Sequence, residues 1–276
     1  MSQIYEALQQ STGKADANTF PVPNLAFAGD NIASDDISIE GLAQSPTFQL
    51  ASTPERRLIS WSDERGLGAE KIRILAAKLK TLQQTRQLKR VLITSSVKDE
   101  GKSLVSSNLA IALARPKQHR VLLVDGDCRR PSLAKLFGVS PSPALDDWWI
   151  QRVSITSCLR RLADLPLWFL SAGRPLSDPL EMLQSPRLPE AFAQLNNLFD
   201  WIVIDSPPFA PLADAGIWSS LSDGLLLVVR CGSTPKKVLA KVVDNIDRAK
   251  LLGAVLNDAT DQAYGYYKHY FDSERG

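Results

Sequence analysis

The segment RVLITSSVKDEGKSLVSSNLA, residues 90–110, joins an apolar run to a helical pattern through a short polar turn. The run at 90–94 predicts a buried strand, and residues 103–114 predict a helix. The turn ends in Gly-Lys-Ser at 101–103, as in the phosphate-binding pattern G-x-x-x-x-G-K-[ST], but Ser96 replaces the first glycine. Backbone N–H groups at a helix N-terminus attract anions, so this turn predicts a site for nucleotide phosphates.

The last residues of this loop predict two separate tasks. The Lys102 ammonium would reach the outer phosphates, and the Ser103 hydroxyl would ligate Mg²⁺. Two acids, Asp99 and Glu100, lie in the same loop. A carboxylate beside a phosphate is unfavourable, so we expect these side chains to point outward or toward the metal side.

Three further acids lie at or just after the ends of apolar runs. Asp125 and Asp127 are two residues apart at the end of VLLVD (121–125), and Asp205 closes WIVID (201–205). A strand's two-residue period turns the first two toward one side, where they could share a cation or take a proton from an attacking hydroxyl. Ligands bind at the carboxyl edge of parallel sheets. Each acid alone could be an ordinary surface group, but together with the loop they predict a Mg²⁺-nucleotide site.

Short apolar runs alternate with helical patterns along most of the chain. The predicted strands are 91–94, 121–125, 167–171, 201–205, 225–229 and 253–257, and the predicted helices include 103–114, 187–199 and 236–250. Runs that are apolar throughout suit strands buried on both faces. The pattern predicts an α/β fold, with a mostly parallel sheet sandwiched between helices in one domain.

The domain boundaries follow from composition. Residues 1–65 predict a mostly disordered N-terminal arm, because Ser, Ala, Asp, Asn and Pro dominate and no period is sustained. Residues 66–262 form the predicted domain, and residues 263–276 a tyrosine-rich tail.

Composition excludes several classes of function. The net charge of the 276 residues is +2, without the cluster of basic residues that binding to nucleic acid needs. Three cysteines and two histidines show no metal-ligand spacing, which argues against a metal cage or a disulfide framework. No apolar run approaches the roughly 18 residues of a membrane-spanning helix. We therefore expect a cytoplasmic protein.

Four of the five tyrosines fall in YGYYKHY near the C-terminal end: Tyr264, Tyr266, Tyr267 and Tyr270. One interpretation is an aromatic patch that packs on the domain or on a neighbour. The other is a set of phosphate acceptors on a tail that enters an active site, its own or that of another subunit. Each phosphate would add a charge of about −1.5 to −2.

From about residue 54 onward the chain resembles the bacterial protein tyrosine kinases of capsular and exopolysaccharide loci, which have a P-loop NTPase-like fold. The resemblance depends on the order of SSVKDEGKS, VLLVDGDCRRP, SAGRPLSDPLEMLQSPR, FDWIVIDSPP, LSDGLLLVVRCGSTPK, LGAVLND and the tyrosine cluster. Family members have Pro-Gly-Glu where this chain has Lys98, Asp99 and Glu100.

The resemblance implies ATP and Mg²⁺ as cofactors and assigns site residues. The implied catalytic residues are Lys102, Asp125, Asp127 and Asp205. The implied metal ligands are Ser103, Asp127 and Asp205. The implied nucleotide contacts are Lys98, Asp99, Glu100, Gly101, Lys102, Ser103, Leu104 and, at the adenine, Asn257. The tail tyrosines would be the phosphoacceptors, modified in trans.

The resemblance also implies partners. They are a membrane-bound polysaccharide chain-length regulator that activates the kinase, holding it peripherally at the inner face of the membrane, and a cognate tyrosine phosphatase. The family's E-x-x-R-x-x-R subunit-joining helix appears as Glu70, Arg73 and Ala76, so the homo-oligomer should be weakened. Two alternatives remain: a switch ATPase of the partition or cell-division type, and a non-catalytic nucleotide-bound scaffold.

Overall fold

The computed structural model describes residues 39–50, 57–209 and 213–259. Within them, eight strands form a single sheet. The strands are β1 (Thr47–Phe48), β2 (Arg90–Ser95), β3 (Val121–Asp125), β4 (Leu159–Leu162), β5 (Leu167–Leu170), β6 (Trp201–Asp205), β7 (Gly224–Arg230) and β8 (Leu251–Asn257). Their spatial order is β1-β4-β5-β3-β6-β2-β7-β8.

Helices flank this sheet. They are α1 (Ile39–Ala43), α2 (Ile59–Ser62), α3 (Leu67–Thr85), α4 (Lys102–Ala114), α5 (Leu133–Phe137), α6 (Leu145–Ile150), α7 (Leu180–Gln184), α8 (Arg187–Leu198), α9 (Ala213–Ser220) and α10 (Lys236–Asn245). A single 3₁₀ turn, Thr156–Cys158, precedes β4 within the described ranges.

The sheet is parallel except where β4 meets β5. Strand β6 lies at its centre, between β3 and β2, and pairs in parallel with both. In this register Asp125 is directly opposite Asp205. The last residues of two predicted strands therefore meet at one edge of the sheet, beside the loop that follows β2.

The two faces of the sheet bury different sets of side chains. Along β6, Ile202 and Ile204 pack into the core shared with α8, whereas Trp201 and Val203 pack into the core shared with α3 and α4. Successive strand residues point to opposite faces, so a strand covered on both sides must be apolar at every position. This explains why the central strands are continuous apolar runs.

All six predicted strands are present, and the α/β fold with its mostly parallel sheet is confirmed. The helix predicted at 236–250 ends at Asn245. Strands β1 and β4 were not predicted. β4 is the short sequence LRRL, and its two arginines interrupt the apolar run by which the other strands were predicted.

Folded structure begins before the predicted boundary at residue 66. Leu42 and Leu58 are buried in the two cores. Arg161 N donates to the Pro46 carbonyl, which ties the segment around β1 to β4. The predicted arm thus contains core residues, and its remaining part, residues 1–38 and 51–56, lies outside the described residues. So does the predicted tail.

Candidate active site

Two residues of the loop between β2 and α4 have positive φ. Gly101, at the N-cap of α4, has φ 92°, and a Cβ on it would lie 2.1 Å from Asn257 Nδ2. Only glycine fits there. Asp99 has φ 63°, a conformation that Asp tolerates better than most side chains. It can therefore occupy the position at which the family has glycine.

Glu100 faces away from the predicted nucleotide. Its side chain is buried, with Oε2 accepting the Val97 N–H at 2.9 Å and Oε1 accepting the Thr234 hydroxyl and the Arg230 N–H. The carboxylate thus braces the loop against the turn after β7. The Glu100 side chain thus points outward, as expected for a loop acid, and contact of its backbone N–H with the phosphates stays a prediction.

Asn257 lies on the other side of the same loop. Its Nδ2 donates to the Glu100 carbonyl at 2.9 Å, so in this structure it supports the backbone of the loop. Contact with adenine stays a prediction.

Lys102 begins α4 and is buried to all but 8% of its surface. Its ammonium lowers the pKa of both Asp127 and Asp205, against the effect of their burial. The Lys102 ammonium is therefore within electrostatic reach of Asp127, just after β3, and of Asp205, the last residue of β6. The sequence patterns predicted this convergence, and the sheet register produces it.

Asp205 is the most exceptional group of the site. It is 1% exposed, and neither carboxylate oxygen accepts a hydrogen bond of normal geometry from the described residues. Burial raises its pKa to about 7, even though Lys102 and the nearby Ser103 hydroxyl lower it. A buried carboxylate without a partner is costly and indicates a missing cation.

Asp125 has a different environment although it is equally buried. Its Oδ2 accepts the N–H groups of Ser132 at 3.0 Å and Leu133 at 2.9 Å, and Oδ1 accepts the N–H of Asp127 at 3.3 Å. Burial raises its pKa to about 8, with a further contribution from Asp205. The backbone therefore already uses both of its oxygens.

Asp127 is the more accessible acid of the pair. Its Oδ1 accepts the Arg130 N–H at 3.0 Å, and burial raises its pKa while Lys102 opposes that effect. It lies in the partly exposed loop after β3 rather than in the sheet. Asp127 was predicted both as a ligand of Mg²⁺ and as a candidate base. It can serve as both only if its carboxylate reaches the cation as well as the incoming tyrosine hydroxyl.

These residues fit a Mg²⁺-bound nucleotide. Magnesium is commonly held by one or two carboxylates together with substrate phosphates. Among the described residues there is no group of three or more His, Cys, Asp or Glu side chains that would hold a metal. An ion at Asp205 and Ser103 would therefore take its other ligands from phosphate oxygens and water.

Three supporting residues were missed by sequence reasoning. Arg129 makes two hydrogen bonds to the buried carboxylate of Asp214, at 2.8 and 3.1 Å. Trp218 Nε1 donates to the Gly126 carbonyl at 2.9 Å. Both contacts join α9 to the loop after β3. No local sequence pattern predicts these two contacts, because the residues that make them are distant in sequence.

Comparison with known proteins identifies the family. Residues 91–270 match the CobQ/CobB/MinD/ParA nucleotide-binding domain. Tyrosine-protein kinase YwqD of Bacillus subtilis is 30% identical over 221 residues, which cover 78% of this chain and 93% of YwqD. The chain belongs to the bacterial tyrosine-protein kinases. The resemblance recognised in the sequence is thereby confirmed.

Further similar proteins differ in length. The succinoglycan biosynthesis transport protein ExoP of Rhizobium meliloti is 31% identical over 192 residues, covering 67% of this chain but only 24% of ExoP. Among solved structures, the BceF tyrosine kinase domain is 26% identical with a TM-score of 0.66, covering 77% of this chain and 91% of that domain. The matching region thus occurs within a much longer protein as well as in chains of similar size.

Proposed function

We propose that this kinase transfers the γ-phosphoryl group of ATP to the tyrosines at the C-terminal end of another copy of the chain, and that this controls the polymerisation or export of a capsular or extracellular polysaccharide. The observation that carries the proposal is the convergence of Lys102 with Asp127 and Asp205 beside the phosphate loop. The family supports the reaction class, and the geometry supports the site.

The proposed division of labour follows from burial and hydrogen bonding. Backbone N–H groups of residues 98–104 would bind the phosphates, and Lys102 would draw charge from the transferring group. Ser103 and Asp205, with Asp127 facing them, would hold Mg²⁺, which supplies neutralisation of the phosphate charge when bound. Positioning and charge neutralisation contribute most of the catalysis in this chemistry.

Asp127 is the proposed proton acceptor. As the phenol oxygen bonds to the γ-phosphorus, the bond to the bridging oxygen of ADP breaks and the phenol proton passes to a carboxylate. Asp127 can meet an incoming side chain because it is only partly buried, and burial raises its pKa, which increases the affinity of the carboxylate for a proton. Asp125 is unsuited, since backbone N–H groups occupy both of its oxygens.

The partners are proposed from the family and from the described surface. No helix in the described part of the chain has both the length and the apolar character needed to cross a membrane. ExoP joins a matching region to a much longer chain. We infer from the family that a membrane-bound chain-length regulator activates this kinase at the inner face of the membrane, and that a tyrosine phosphatase reverses the modification.

The helix expected to join subunits is only partly suited to it. Arg73 is paired within its own chain, to the Glu70 carboxylate and the Glu64 carbonyl. Ala76 is 4% exposed and packs into the core beside α4. A homo-oligomer built on this helix would therefore lack the last arginine contact and have to redirect Arg73.

The test is phosphorylation of purified full-length chain with Mg²⁺ and ATP, read by mass spectrometry at the four tail tyrosines. Parent protein should acquire phosphate, and Lys102→Met should not. To establish transfer in trans, Lys102→Met chain is mixed with active chain lacking its four tail tyrosines. Phosphate on the Lys102→Met chain is the expected result, and an unmodified chain would contradict the proposal.

The switch-ATPase alternative shares the fold and the phosphate loop, since the matching domain family includes MinD and ParA. ATP hydrolysis that continues after all four tail tyrosines are changed to Phe, with no phosphotyrosine in the parent, would favour it. The scaffold alternative predicts neither product. It is less favoured because Asp99 keeps the loop conformation that a glycine would adopt.

A further inference from the structure

Ser132 does not perform the usual task of a serine at its position. It is the N-cap residue of α5, where a serine oxygen ordinarily accepts an N–H of the first helical turn. Within the described structure its side chain makes no such bond. Instead the hydroxyl donates to Ser103 Oγ at 3.0 Å, across to the start of α4.

Asp125 binds the start of α5. Its Oδ2 accepts the N–H groups of Ser132 and Leu133, which belong to the donors left unpaired at a helix start. The carboxylate is fully buried at the end of a central strand, so it holds the backbone of Ser132 firmly against α4. With its backbone held in this way, Ser132 directs its hydroxyl to Ser103.

We propose that Ser132 is a positioning residue that orients the Ser103 hydroxyl for a divalent cation. This inference rests on the proposed function, in which Ser103 is a Mg²⁺ ligand. A serine hydroxyl has one proton and two lone pairs. The Ser132 hydroxyl occupies one lone pair of Ser103 Oγ. This contact restricts the directions in which the second lone pair and the proton of Ser103 can point, and the second lone pair remains for the ion.

The same contacts assign a role to Asp125. It acts through the backbone of residues 132 and 133 rather than on the reacting atoms. Loss of its carboxylate should therefore disturb the cation site as well as the loop. The acidic pair thus has one member that builds the site and one that faces the substrate.

The experiment measures how much Mg²⁺ tightens the binding of ADP to the full chain. Isothermal titration gives the ADP affinity with saturating Mg²⁺ and with EDTA, and the ratio of the two is the readout. Ser132→Ala should lower this ratio about fivefold, the effect of one net hydrogen bond. Ser132→Thr keeps the hydroxyl and should restore the parent ratio.

A matched control removes a different bond to the same residue. The Ser107 hydroxyl donates to the Ser103 carbonyl at 2.6 Å, away from the oxygen that would meet the ion. Ser107→Ala should reduce thermal stability but leave the ratio unchanged. A structural role alone for Ser132 would make the two alanine variants alike.

The proposal is overturned if Ser132→Ala leaves the ratio unchanged, lowers it no more than Ser107→Ala, or is not rescued by Ser132→Thr. A parent protein in which Mg²⁺ has no effect on ADP binding would overturn it together with the proposed metal site. If the parent protein acquires no phosphotyrosine but Ser132→Ala still lowers the ratio of ADP affinities, only the kinase proposal is contradicted. The two failures are thus distinguishable.

Discussion

The buried carboxylate of Asp205 should destabilise the nucleotide-free protein as the pH rises. Its pKa is about 7, compared with an ordinary value of 3.8, because burial disfavours the ionised form. Between these values the folded chain binds more protons than the unfolded chain does. The free energy of unfolding must therefore fall from about pH 4 to about pH 7. The full difference corresponds to about 4 kcal/mol above pH 7.

Asp205→Asn removes this charge. At pH 8, without nucleotide or Mg²⁺, the variant should be more stable than the parent, by up to about 4 kcal/mol. The gain should shrink as the pH falls toward 4. Because Asp205 also raises the pKa of Asp125, the pH dependence that Asp125 causes should weaken in the variant as well. Activity should be lost even though stability increases.

Urea denaturation at pH 5.5 and pH 8, in EDTA, measures both proteins. Asp223→Asn is the control of opposite sign. Burial of Asp223 is outweighed by hydrogen bonds from the Arg90 side chain and from the Arg90 and Lys89 backbone, which lower its pKa. Its loss should therefore destabilise the protein at pH 8. An Asp205→Asn protein that is less stable than the parent at pH 8, with an unchanged pH dependence, would refute the reasoning.

Two further predictions concern the loop. Gly101→Ala should abolish ADP binding in titration calorimetry, because the new Cβ would clash with Asn257 and because φ is 92° at this residue. Gly216→Ala is the control and should bind normally, since a Cβ there has open space around it. Normal binding by Gly101→Ala would contradict the loop geometry. Thr234→Val should lower the free energy of unfolding by about 1–3 kcal/mol, because the buried Glu100 carboxylate loses a donor. Thr234→Ser should recover most of it, and equal loss in both would show that the hydroxyl is not responsible.

Local chemistry made much of the fold predictable. Each central strand is a continuous apolar run because it is covered on both faces, and this pattern needs no knowledge of its neighbours. The phosphate loop was recognisable from residues 101–103 even without its first glycine. The family followed from motif order and is confirmed by comparison. By contrast, β4 and the folded segment before residue 66 were missed, because short, partly polar elements carry no period of their own.

The partners of the side chains were beyond the sequence. An outward direction was expected for Glu100, but only the fold brings the Thr234 hydroxyl and the Arg230 N–H to its carboxylate. The choice between the two acids after β3 likewise depends on the backbone of Ser132, which lies in another element.

The sequence by itself determined which segments are strands and helices, where a phosphate can be held, and which acids end at the same edge of the sheet. The tertiary structure alone decided that Asp125 caps a helix, that Asp205 is left without a partner, and that Ser132 reaches Ser103. The reason is physical. Hydrophobic period and turn chemistry are properties of neighbouring residues along the chain, whereas burial and hydrogen bonding depend on which distant residues the fold brings together.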